Sequence, residues 1–204
     1  MDLTGGSLPD ADLRRIDLDK AIMDSVILTD ANLSEAKLRG AKITNANLRR
    51  INLNRAEMRN ANLTNTNLTN ATLIRAGLQR GILAPAILVS ANLRKANLRR
   101  ANLDGSDLTG ATLQKTNLTN ASLIGAILVG ALANNIRLEQ ADLTGANLSS
   151  AILRGAILRG ADLTNADLTN TDLRRANLSR ATITGADFTG ANLTGAYLGD
   201  TIIP

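Results

Sequence analysis

The sequence predicts an all-β solenoid wound from very short repeats, and three observations support that expectation. The 204 residues repeat with a period of five whose phase never breaks. Of the 41 positions whose number ends in 3 or 8, 34 are Leu, and the others are Met23, Ile43, Met58, Ala133, Ile183, Phe188 and Ile203. Two residues earlier, 29 of 41 positions are Ala. A period of five fits neither the 3.6 of an α-helix nor the alternation of a plain strand. An Ala and a Leu two residues apart do, however, project to the same side of extended backbone.

Each unit therefore reads as an extended triplet followed by a turn, as in Ala96-Asn97-Leu98-Arg99-Arg100 or Ala161-Asp162-Leu163-Thr164-Asn165. The triplet sends Ala and Leu inward, and the next two residues must turn the chain so that the following pair faces inward again. Asn, Asp, Thr, Ser, Gly and Arg fill the remaining places and face water. Asn, Asp and Gly suit the turns because they tolerate unusual backbone angles or bond their own main chain. A core of small aliphatics also follows from composition: 44% of residues are hydrophobic, yet the chain has one Tyr, one Phe and no Trp. Ile16, Val26, Ile51 and Ile136 stand where Ala is usual and predict local widening. Ala133 occupies a Leu place with Leu132 beside it, which predicts a bulge or an inward rotation of Leu132. Pro9 and Pro204 are expected to blunt strand edges.

These A(D/N)LXX units resemble the pentapeptide-repeat family, its cyanobacterial members in particular, over essentially all of 1–204. The resemblance implies a right-handed quadrilateral parallel β-helix with four units per turn. That geometry gives about ten coils and a rod about 50 Å long at ~4.8 Å per coil, forming one domain over 1–204. A single coil would hold four Leu and four Ala, too little burial to offset its own ordering, so stability has to come from stacking. No helical cap is legible at either end, and open strand edges predict end-to-end self-association.

Four units per turn bring each side of the coil back every 20 residues, so charges can be assigned to sides. Side one (residues 1–5, 21–25 and onward) carries a net −4, side two (from 6) −3, side three (from 11) +7 and side four (from 16) +5. Twenty of the 23 basic residues fall on sides three and four. The candidate stripe for an anionic partner comprises Arg14, Arg15, Lys37, Arg39, Arg55, Arg59, Arg75, Arg80, Arg94, Lys95, Arg99, Arg100, Lys115, Arg154, Arg159, Arg174, Arg175 and Arg180. Ile82, Ile87, Val89, Ile124, Ile127 and Val129 form a candidate apolar contact patch on sides one and two.

The chain has no Cys and no His, which removes disulfide and thiolate chemistry, the commonest general base and the commonest metal ligand. Its carboxylates are spread along the rod without converging, so no catalytic residue, metal site or cofactor is expected. The longest apolar runs, Ile82 to Val89 around Pro85 and Gly125 to Ala133, fall short of the ~20 residues of a spanning helix. A soluble, cytoplasmic protein is expected; a lumenal or periplasmic place would require a removed leader.

The reading that follows is a non-enzymatic structural or protein-interaction module of undefined role, whose unknown protein partner is acidic by charge complementarity. The resemblance offers a second reading, since quinolone-resistance members mimic duplex DNA and bind type II topoisomerases. That mimicry needs an acidic rod, whereas this chain has a pI near 10.2 and lacks their C-terminal aromatic dimer module. A third reading is weak, unspecific binding of nucleic acid or another anionic surface. Without aromatics it would be confined to phosphates and would fade with salt.

Overall fold

In the computed structural model, residues 1–201 are described, and the expectations placed on Ile203 and Pro204 lie outside them. The second residue of each unit pairs in parallel with the residue twenty places on. Four ladders result, one per side, each of ten residues in register; the first runs from Asp2 through Ile22 and Lys42 to Thr182, the fourth from Asp17 to Tyr197. The chain is thus a parallel β-helix of square section.

The backbone bonds show why five residues suffice for each side. The second residue donates to the first residue of the preceding coil (Asn97 N–H to the Ala76 carbonyl, 2.9 Å). The third and fifth donate to the following coil (Leu98 N–H to Asn117, 2.7 Å; Arg100 N–H to Thr119, 3.1 Å). The next unit's first amide closes the turn on the Leu carbonyl, as Ala96 does on Leu93 at 2.9 Å. The fifth residue has φ between 55° and 72° at 39 of its 40 positions, only 12 of them Gly. A left-handed residue at that place alone marks a type II turn.

This scheme leaves the fourth amide without a backbone acceptor, which accounts for the recurrent Asn or Asp two residues before it. The Asn92 side-chain oxygen accepts from Arg94 N–H at 3.1 Å, and Asp162 accepts both the Thr164 amide (2.9 Å) and hydroxyl (2.6 Å). In four units the second residue is Lys37, Lys42, Thr72 or Ser122, and the acceptor comes from the fourth residue one coil earlier. Asp19 then serves Arg39 (2.8 Å), Asp24 serves Thr44 (3.3 Å), Asn54 serves Ile74 (2.8 Å) and Asp104 serves Ile124 (3.0 Å).

Every third-position residue from Leu18 to Leu178 is buried, with the Ala column beside it. Towards the ends, Leu8 and Leu198 are exposed. Four Ala places hold buried hydroxyls, Thr66, Ser106, Thr116 and Thr171, and each donates to a Leu carbonyl. Ser106 has a further task. Pro85 follows a cis peptide bond and cannot take a positive φ, so the 83–86 turn lacks its own closing bond. The Ser106 hydroxyl donates to Leu83 (2.9 Å) and accepts from Ala86 N–H (3.2 Å), spanning the gap.

The expected bulge at Leu132 is not formed. Leu132 points outward and stays in register between Thr112 and Ile152, while Ala133 is fully buried. Turning Leu132 inward would break the two-residue alternation and its ladder bonds, whereas Ile136, buried at the next Ala place, supplies apolar volume lost at Ala133. The ladders likewise pass Val26 and Ile51 without interruption.

Ile136→Ala should therefore cost about 2–5 kcal/mol in denaturant unfolding, because its neighbour Ala133 cannot fill the space. Leu132→Asn should change stability little. Ser106→Ala should cost about 1–3 kcal/mol by stranding Leu83 O and Ala86 N–H. Thr116→Ala should cost less, since Leu93 O keeps its bond from Ala96.

Candidate anion-binding surface

The fourth and fifth residues of each unit form the corners of the square, so cations there project from edges. Side four is bordered by two such corners, one built from residues such as Arg94 and Lys95, the other from Arg99 and Arg100. All eighteen stripe residues lie at the surface; seventeen are exposed and Arg174 is partly buried. The 20-residue ladders align them along two adjacent sides, as the sequence predicts.

The structure adds a division that the net charges concealed. Towards the two ends of the stripe most cations are paired, Arg159 and Arg175 being the two there that form no ion pair among the described residues. Arg14 meets Asp12 (2.7 Å), Arg15 meets Glu35 (2.8 Å), Lys37 meets Asp17 (3.4 Å), and Arg39 reaches Asp19 and Glu57. Arg55 meets Glu35 (3.5 Å), Arg154 and Arg174 share Asp172 (2.5 and 2.8 Å), and Arg180 meets Asp200 (3.9 Å). Between Glu57 and Glu139 sides three and four contain no acid at all. There Arg59, Arg75, Arg80, Arg94, Lys95, Arg99, Arg100 and Lys115 form no ion pair among the described residues. Arg137, which sequence reasoning left out of the stripe, closes this stretch by pairing with Glu139 (3.0 Å). The acid-free interval was visible in the sequence and needed only a count along each side.

Open grooves run between these cations. One of about 320 Å³ is lined by Arg59, Gln79, Arg80, Asn97, Arg99 and Arg100. Another of about 380 Å³ lies among Arg94, Lys95, Gln114, Lys115, Asn134 and Asn135.

The apolar patch is arranged differently from the expectation. Ile82, Ile87, Ile124 and Ile127 are exposed, and Val89 and Val129 are partly buried. In the ladder, however, Asp107 sits between Ile87 and Ile127, and Asn102 and Ser122 follow Ile82. The aliphatics form separate rows around single coils, with a polar row between them. Ile22 and Ile27, exposed and missed in the sequence, make another such row. Ladder neighbours recur at 20, so residues 40 apart never touch directly.

Among the described residues no His/Cys/Asp/Glu group could hold a metal ion, and no helix is long and apolar enough to cross a membrane. Hydrogen bonds from Arg14 to Asp12 and from Arg15 to Glu35 hold these carboxyls below their ordinary range; the Asp19 amide does most for Asp17.

The profile of the pentapeptide repeats family matches the chain in eight copies, over residues 2–34, 31–70, 86–125, 121–160 and 161–200. The unmatched 71–85 ends at Pro85 and has Thr72, Gly77 and Ile82 where Asn or Asp is usual. Among solved structures, HetL from the cyanobacterium Nostoc sp. strain PCC 7120 is a pentapeptide repeat protein involved in heterocyst differentiation regulation. It is 36% identical, with a TM-score of 0.96 over 98% of this chain and 90% of HetL. QnrB1, a plasmid-mediated fluoroquinolone resistance protein, is 19% identical over 91% of this chain and 90% of its own, with a TM-score of 0.49. A pentapeptide repeat protein of the Arabidopsis thaliana thylakoid lumen is 39% identical over 48% of this chain and 65% of its own, with a TM-score of 0.29. No curated protein matches the chain.

The lowered carboxyls set the sign of one pH effect. A group whose pKa is depressed by folding stabilises fully above its unfolded value and loses that contribution as pH falls through the folded one. Thermal midpoints should hold between about pH 7 and 5 and fall below about pH 4. Asp12→Asn/Asp17→Asn/Glu35→Gln should fall less steeply over the acidic interval, with a small effect at neutrality because these groups are exposed.

Proposed function

The chain belongs to the pentapeptide-repeat family of right-handed β-helices, and on that premise we propose that it is a non-enzymatic protein-interaction module. It acts as one uninterrupted domain of about ten coils in the cytoplasm, with its basic stripe as the contact surface. Members of the family generally serve as structural or interaction modules. One observation supports the stripe as more than a solubilising face. The fifth residue of each unit takes a left-handed conformation that Gly and Asn adopt most easily. On sides one and two that place holds a cation once in twenty, at Arg50; on sides three and four it holds Arg or Lys ten times in twenty. Each left-handed Arg or Lys costs the backbone about 1 kcal/mol, so charge is kept here against the local preference of the turn.

A duplex-mimic role is not favoured, because a basic stripe has the wrong sign to replace DNA phosphates and the likeness to QnrB1 is distant.

Affinity capture from the source cell tests the reading. A specific partner should be retained by the wild-type chain and lost with Arg94→Glu/Arg99→Glu/Arg100→Glu; an unchanged partner set would reduce the stripe to a solubilising face. Arg75→Asn/Arg80→Asn/Arg100→Asn should keep or raise the thermal midpoint while weakening capture, since Asn suits the left-handed turn better.

A further inference from the structure

We propose that the acid-free interval between Glu57 and Glu139 is the docking surface itself, and that it takes one short acidic segment of a partner protein lying along side four. The inference rests on the interaction-module reading and narrows it to one place and one chemistry.

Position and pairing define the place. Arg75, Arg94, Lys95 and Lys115 stand along one corner of side four, and Arg59, Arg80, Arg99 and Arg100 along the other, all without an acidic partner among the described residues. Between these two rails the middle of the side is small and neutral: Gly77, Asn97 and Asn117 follow one another in its ladder. Beyond the interval, Asp17, Asp19, Glu35 and Glu57 pair with the stripe on one flank, and Glu139 and Asp172 pair with Arg137, Arg154 and Arg174 on the other, where only Arg159 and Arg175 stay unpaired among the described residues.

The same corner also offers unused backbone donors. The turn amides of Arg59 and Gln79 have Glu57 and Gly77 at the place of the usual Asn or Asp, and Arg39 and Arg59 one coil earlier. Neither amide makes a hydrogen bond among the described residues, and both residues border the 320 Å³ groove with Arg80, Arg99 and Arg100. Carboxylates accept from amides and guanidinium groups together, and such charge-assisted bonds are the stronger kind.

Length selects the partner. Glu57 and Glu139 lie four coils apart, about 19 Å at ~4.8 Å per coil, which an extended segment spans with about six residues. A duplex laid along the rod would run past the interval onto ends where most cations are already paired, and would gain little there. A single strand finds no aromatic ring to stack on, because Phe188 and Tyr197 are the chain's only aromatics and both lie far from the interval. A compact cluster of carboxylates matches both the extent and the charge.

Fluorescence anisotropy with a labelled peptide of six alternating Asp and Glu residues tests the proposal at about 50 and 150 mM salt. The wild-type chain should bind it, more weakly at the higher salt. Arg80→Glu/Arg99→Glu/Arg100→Glu should weaken binding about tenfold or more, while Arg14→Glu/Arg15→Glu/Arg174→Glu, at the paired ends, should stay within about twofold. Arg80→Asn/Arg100→Asn, which suits the turn, should give an intermediate loss and guards against misfolding of the charge reversal. Equal losses from the central and terminal reversals would overturn the interval as a site. Tighter binding of a 20-base-pair duplex with the same variant dependence would replace the acidic segment by nucleic acid. No peptide binding by the wild type would also overturn the proposal, leaving the wider module reading to stand or fall on the capture experiment.

Discussion

The left-handed residue at the end of every unit is the constraint from which the rest of the fold follows. Five residues can carry the chain along one side and around one corner only if the fifth takes a positive φ, so that the next amide folds back on the Leu carbonyl. The following Ala and Leu then face inward, and the coil closes after four sides. Once it closes at twenty residues, every second residue meets its counterpart in the next coil and the ladders are set. Pro85 shows how strict this is. The one corner that cannot take the required φ is held instead by a side chain from the next coil, with Ser106 bonding both groups that the turn would have joined.

A second layer of bonding fills what the backbone leaves open. Turn and ladder geometry together exhaust the acceptors available to four of the five amides, and the fourth depends on an Asn or Asp side chain. This explains the composition of the second place better than solubility does, since Ser, Thr or Lys would be equally soluble, but Ser and Thr bond the amide more weakly than an Asx turn does and Lys has no acceptor to offer. It also explains why Asp and Asn appear at the fourth place one coil before certain units whose second residue is Lys, Thr or Ser. Asp24 above Lys42 and Asn54 above Thr72 supply an acceptor from one coil away.

The core and the sides were legible because both depend only on period: Leu at every fifth residue, and a return to the same side at every twentieth. What sequence reasoning missed depends on contact between coils. That Ser106 answers Pro85 requires residues 21 apart to be placed against each other. That Leu132 stays outward is a competition between apolar burial and ladder register, and register prevails because Ile136 already helps to fill the interior. The apolar patch failed for a similar reason: Ile87 and Ile127 share a column, but Asp107 occupies the rung between them. The division of the stripe was within reach of the sequence, yet summing each side hid it, because paired and unpaired cations contribute alike to a net charge.

That division bears on how a repetitive surface can be selective. A rod whose units are nearly identical offers the same shape at every level, so shape alone cannot fix where along its length a partner sits. Charge pairing can. Where Glu35 or Asp172 stands beside the cations, the attraction is largely satisfied within the chain; where acids are missing, it is directed outward. Turn chemistry adds donors there, because the amides of Arg59 and Gln79 have no Asn or Asp acceptor, as is also the case at Arg154 and Arg159, whose units have Ile at the second place. What singles out the interval is the run of missing acids; there the guanidinium groups and free turn amides of one corner face outward together.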